Sequence, residues 1–251
     1  MSDIFNALFF QPIFNLLVFF YNYLPWHDFG LAIIALTVVI KLLLYPLSQK
    51  TIKSQKALAD LQPRLESLKK QHSGNKEELA RATMNMYKDN KINPFSSCLP
   101  LLIQLPFMFA VFQVFRDFGK IDHTALVYKF LAQPDFSSGL KFMQFIDLSR
   151  PNVYLAVLAA GAQFWQTKMM STSQPVIQNK DSRDENFSAI MNKQMLYMMP
   201  IMTIVIGVSL PGGLTLYWFV FSLLSALQQL IVFKQKEKKA SVLEGEILPQ
   251  A

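Results

Sequence analysis

Long apolar runs, each carrying a few isolated polar residues, alternate along this chain with charged segments of helical period. The most informative run is FGLAIIALTVVIKLLLYPLSQ, residues 29 to 49, whose only ionisable groups between Phe29 and Leu47 are Lys41 and Tyr45. About 20 apolar residues let a helix cross a bilayer, so the pattern predicts a first span over 28–49. A lysine well inside such a span costs roughly 2.5–3.5 kcal/mol on insertion scales, a cost borne where the charge faces water or protein. Thr37, Lys41 and Ser48 fall at i, i+4 and i+11, with Tyr45 one turn from Lys41, so one polar stripe runs down an apolar helix. The competing account is that Lys41 snorkels to the nearer surface.

The same reading extends to the rest of the chain. Residues 1–27 predict a helix lying in the outer membrane interface, with Gln11, Asn15 and Asn22 on one face and Pro12 breaking or opening it. Tyr23 and Trp26 suit a headgroup belt. Residues 50–92 carry ten basic and five acidic groups, an excess of +5 that marks a cytoplasmic segment. Leu58, Leu61, Leu65 and Leu68, then a turn at Ser73-Gly74-Asn75, then Leu79, Thr83 and Met86, predict a helical hairpin standing off the membrane. Further spans follow at 93–116, 150–168, 194–210 and 212–233, separated by an outer loop over 117–149, a polar cytoplasmic loop over 169–193 and the turn Pro211-Gly212-Gly213. Met191, Met195, Met198 and Met202 share one face of the fourth span, as packing filler or as an adaptable contact surface. The basic tail, 234–251, begins KQKEKK. The fold class is therefore all-α: a polytopic membrane protein of five transmembrane helices, with the N-terminus outside and the C-terminus cytoplasmic.

Composition narrows the function. Only 16% of the 251 residues are charged, against roughly 25% in soluble domains. The single cysteine, Cys98, excludes an internal disulfide and a cysteine-based metal cluster, and the three histidines are scattered, so no metal or other cofactor is expected. No nucleotide-binding loop, nucleophile elbow or HExxH motif is present, and the chain does not read as an enzyme. The net charge of +7 is explained first by topology; ribosomal RNA is a secondary partner and DNA is not expected.

Polar groups recur on single faces of the other spans. Gln104 lies on the second, Gln163 and Gln166 on the third, and Thr215, Trp218, Ser222, Ser225 and Gln229 on the fifth, where Tyr217 adjoins the stripe. If these faces converge with Thr37, Lys41 and Ser48, they line a wet groove inside the bilayer. Such a groove would hold a polar or acidic segment of a visiting protein while its apolar part stays in lipid. One rival is a small-solute channel or transporter with Lys41 as an anion site. Another is an assembly factor whose stripes only join helix to helix.

Several stretches resemble the YidC/Oxa/Albino membrane protein insertases: TVVIKLLLYPL, ALADLQPRLESLKKQ, MYKDNKINPFSSCLPLLIQLPFMFA and PGGLTLYWFVFSLLSALQQLIV. The resemblance runs from about residue 8 to 235. It implies five core spans, an outer amphipathic helix, a cytoplasmic hairpin and a hydrophilic groove open to cytoplasm and lipid. It places the groove cation at Lys41, where family members usually carry arginine; lysine keeps the charge and loses the bidentate fork. It also places substrate contacts at Thr37, Gln166 and Trp218. The implied partners are nascent membrane proteins, the ribosome, the Sec translocon and the lipid bilayer. Lys53, Lys56, Arg64, Lys69, Lys70, Lys236, Lys238 and Lys239 are the expected ribosome or partner contacts. Many members from two-membrane bacteria carry an extra span and a large periplasmic domain, and many from single-membrane bacteria a lipoprotein signal; neither is seen here. The absence of an Arg/Ser-rich transit peptide favours a bacterial inner membrane.

Overall fold

The computed structural model describes residues 3–72, 74–93, 99–117, 126–136, 139–171 and 196–247. Ser73, Ser97, Met191, Met195 and most of the polar loop 169–193 lie outside these residues, as do the side chains of Lys236, Lys238 and Lys239. The described chain is mostly helical, with one small sheet.

Helix α1, Asp3–Tyr23, is opened rather than broken near its proline. Asn6–Phe10 forms a wide π turn in which the Gln11 N–H reaches back to the Asn6 carbonyl, and Pro12 enters the first turn of the α segment that follows. Ile13, Phe14, Leu17, Val18 and Tyr21 are buried. This helix, expected to lie in the interface, is long and apolar enough to cross a membrane and packs its apolar face into the core. Trp26 and His27 then take left-handed backbone (φ 64° and 47°) and turn the chain back. Asp28 caps helix α2, Phe29–Leu43, its Oδ1 accepting from the Leu31 N–H at 2.8 Å.

The predicted straight span over 28–49 is bent. Helix α2 ends at Leu43, Leu44 is the break, and helix α3, Tyr45–Asp60, leaves at 68°. Pro46, in the first turn of α3, has no N–H to give the Leu42 carbonyl, and its ring crowds that carbonyl. The last residues of the expected span therefore belong to a helix heading out of the bundle. Helix α4, Gln62–Gln71, again starts with a proline in its first turn. Helix α5, Lys76–Asp89, is capped by Asn75, whose Oδ1 accepts from the Glu78 N–H at 3.1 Å and whose amide donates to the Glu78 carboxylate at 3.2 Å. Helices α4 and α5 contact each other.

Among the described residues four more helices follow: α6, Leu99–Asp117; α7, Val153–Ser171; α8, Leu196–Gly207; and α9, Gly212–Ile247. Helix α9 does not stop at Phe233 but continues for 36 residues through most of the expected tail. Its most extensive packing is against α7, and it also contacts α2, α3 and α6. By length and composition, α1 and the Gly212–Lys234 part of α9 can cross a membrane, and the bent α2–α3 pair can be counted as a third span. Helix α8 and the Leu102–Phe115 part of α6 are shorter apolar helices.

The core joins α1, α2, α6 and the start of α9 around Phe14, Tyr21, Phe29, Leu36, Val114 and Tyr217. Its closest approach is at Gly213, where an added Cβ would lie 1.8 Å from the Phe115 ring. Between α6 and α7 the chain forms a two-stranded antiparallel hairpin, β1 (Lys141–Phe142) and β2 (Ile146–Asp147). The Phe142 ring presses on Gly30 so closely that a Cβ there would come within 2.2 Å.

Candidate functional site

Lys41 stands in the last turn of α2, just above the bend that Pro46 imposes. Its Nζ donates to the Ser225 Oγ at 2.6 Å and lies 4.0 Å from the centre of the Phe221 ring. Ser225 donates in turn to the Phe221 carbonyl at 2.7 Å, so acceptor and ring are one turn of α9. The ammonium is thus turned toward another helix, and snorkelling is not needed to satisfy it. Phe221 continues upward to Tyr217, their ring centres 6.1 Å apart, and the Tyr217 hydroxyl accepts from the Gln104 side-chain amide of α6. Lys41, Ser225, Phe221, Tyr217 and Gln104 therefore form one connected cluster across three helices.

Three buried glutamine oxygens have no hydrogen-bond partner among the described residues: Oε1 of Gln104 and Gln113 on α6, and of Gln229 on α9. Each unmet acceptor costs about 1–3 kcal/mol. Gln228, beside Gln229, donates to the Tyr45 carbonyl at 3.4 Å and ties α9 to the far side of the bend.

The remaining expected groove residues are placed unevenly. Thr37 is fully buried and returns its hydroxyl to the Ile33 carbonyl at 2.7 Å. Ser48 does the same to Leu44 at 2.8 Å. Ser222 is buried, and Trp218 and Gln166 are half-buried. Gln163 accepts from the Thr203 hydroxyl and so joins α7 to α8 rather than reaching the lysine. Met198 and Met202, on the described part of the methionine face, are exposed. Ser225 had been visible as part of a polar stripe, but its role as the lysine's partner was not; Phe221 and Thr203 gave no signal at all.

Among the basic residues, Lys53, Arg64 and Lys70 are exposed, and Lys69 is half-buried. Lys56 pairs with Asp60 at 3.5 Å and lies 5.4 Å from the Phe233 ring centre, which joins α3 to α9. Among the described residues no group of three or more His, Cys, Asp or Glu is placed to hold a metal.

The chain is similar to known proteins over most of its length. The model of the 60Kd inner membrane protein family matches residues 19–239. The membrane protein insertase YidC of Fusobacterium nucleatum is 36% identical over 208 residues, 83% of this chain and 87% of that protein. The protein of the same name from Clostridium tetani is 32% identical, with 86% of each chain covered. That of Magnetococcus marinus is 33% identical over 92% of this chain, which spans only 36% of that longer protein. The chain belongs to the 60Kd inner membrane protein family.

Proposed function

We propose that this chain is a bacterial inner-membrane protein insertase that receives apolar segments of other proteins beside Lys41 and releases them into lipid. The observation that carries the mechanism is the lysine seated on Ser225 and Phe221, between α2 and α9, with Tyr217 and Gln104 above it. An ammonium on a neutral hydroxyl and a ring is satisfied but not neutralised. An acidic or carbonyl group of an incoming segment exchanges for the hydroxyl and gains a charge-assisted bond. The orphaned glutamine oxygens can accept from that segment's polar groups. Burial of the segment's apolar surface in lipid, at about 25 cal/mol per Å², then drives release without a nucleotide.

In this reading Lys41, Gln104, Trp218 and Gln166 line the groove, and Thr37, Ser48, Gln163, Tyr217 and Ser222 stand behind it, buried or hydrogen-bonded within the bundle. Five spans cross the membrane, with the N-terminus outside and the C-terminus in the cytoplasm. Helices α4 and α5 form a cytoplasmic hairpin that meets the ribosome or the Sec translocon through Arg64, Lys69 and Lys70, with Lys53 on the adjoining α3. The charge excess of 50–92 supports that side. The anion-channel alternative finds no support among the relatives.

The deciding experiment reconstitutes the protein in vesicles and follows insertion of a single-span substrate with an acidic tail. Lys41→Arg retains insertion, and Lys41→Glu slows it about tenfold or more. A photocrosslinker at Trp218 captures the stalled substrate. Full-rate insertion by Lys41→Glu would remove the charge step.

A further inference from the structure

The hairpin between α6 and α7 is polar at its base and apolar at its tip. Lys141 and Asp147 face each other at the base, with Ser149 and Arg150 just beyond. The tip is Met143-Gln144-Phe145, closed by the Phe145 N–H on the Phe142 carbonyl at 3.1 Å. Water-facing hairpins usually reverse this order and place Asn or Gly at the tip. Here Met143 and Gln144 both occupy left-handed backbone (φ 50° and 68°), which side chains of this size rarely adopt. Asn-Gly would adopt this backbone at lower cost.

The hairpin's depth is fixed by its attachments. Phe142 rests on Gly30, and the Met143 N–H donates to Asp28, both at the first turn of α2. The Leu148 and Arg150 carbonyls accept from Gly213 and Gly212, at 3.0 and 2.9 Å, at the first turn of α9. The tip therefore lies alongside the helix ends, not above them. Tyr23 and Trp26, where α1 turns into α2, and Tyr154, in the first turn of α7, stand at the same end, exposed by 68%, 77% and 80%. Phe145 is 91% exposed and Met143 57%. Tyrosine and tryptophan at helix ends mark the headgroup layer of a bilayer.

We infer that the 143–145 tip is a lipid-binding wedge, seated in the headgroup layer beside the start of α2. Its ligand is the phospholipid interface itself. The inference needs only that the bundle sits in a bilayer, so it stands or falls separately from the insertion mechanism.

The test uses the full chain with Cys98→Ser and one new cysteine, Phe145→Cys or Met143→Cys, carrying an environment-sensitive fluorophore. Arg150→Cys serves as the water-facing control. The protein is reconstituted in phosphatidylcholine–phosphatidylglycerol vesicles, with aqueous cobalt on both sides as polar quencher. At 145 and 143, nitroxide lipids labelled near the headgroup quench about twofold more than lipids labelled at the chain end, and cobalt quenches less than at 150. Cobalt quenching equal to that at 150 would overturn the inference. So would protection from both cobalt and nitroxide, which would place the tip against a second copy of the chain.

Discussion

A single hydroxyl decides how Lys41 rests. Among the described residues, removing it with Ser225→Ala leaves the ammonium the Phe221 ring alone, and a hydrogen bond to a charged group contributes about 1.5–3 kcal/mol. The expected result is a lower melting temperature in detergent, largely restored by Ser225→Thr. Gly213 is constrained by space instead: a methyl group there meets the Phe115 ring, and overpacking of this kind costs about 1–3 kcal/mol. Gly213→Ala should lower the melting temperature, and pairing it with Phe115→Leu should recover part of the loss. At the hairpin base, the Ser149 hydroxyl bonded to Asp147 holds that carboxyl below its usual range, with Arg150 assisting. Because the folded-state value is depressed, this contribution is present above the ordinary carboxylate range and is lost as pH falls through the lowered value. The protection factor of the Ser149 amide, the intrinsic exchange rate divided by the observed rate at the same pH, should therefore fall on acidification, and Asp147→Asn should flatten that dependence.

Elements were legible where apolar period and punctuation agreed. The start of α2 follows from Asp28 before an apolar run, and α5 from Asn75 with Glu78 three residues on. The bend at Leu44 was written in Pro46, yet apolar continuity through Leu47 hid it, because hydropathy reports length and not direction. The same bias ended α9 at the first lysines, whereas Lys and Glu are good helix formers and the helix continues. The lysine could be recognised as an anomaly from α2 alone. Its seat could not, since the register between α2 and α9 depends on packing across about 180 residues. The β-hairpin was illegible because its turn uses Met-Gln in place of any turn residue. Replacing the element's punctuation tests the bend: Pro46→Ala should straighten the α2–α3 junction, seen as a longer distance between spin labels at positions 33 and 56.

At the scale of the molecule, helices from both ends of the chain close around α2. Helix α1 packs on one side and α9 on another, and α9 also touches α3 below the bend. Charge placement gives this assembly a direction that can be measured. With Cys98→Ser as background, a cysteine at Lys70 should label from the cytoplasmic side of intact cells' inner membranes, and one at Arg150 only from the outside. Labelling of both from one side would refute the five-span topology.

Helix α1 grips the segment 126–132 in an unusual way. Asn15 donates to the Leu126 carbonyl at 2.9 Å and accepts from the Tyr128 N–H at 2.7 Å, while Asn22 donates to the Ala132 carbonyl at 2.8 Å. Every partner on that segment is main chain, so the latch does not depend on which side chains the segment displays. Val127 is buried in the core and holds the segment by packing as well, whereas the exposed Lys129 and Phe130 can change without loosening the grip. Proline at 128, which deletes the one donated N–H, is the exception.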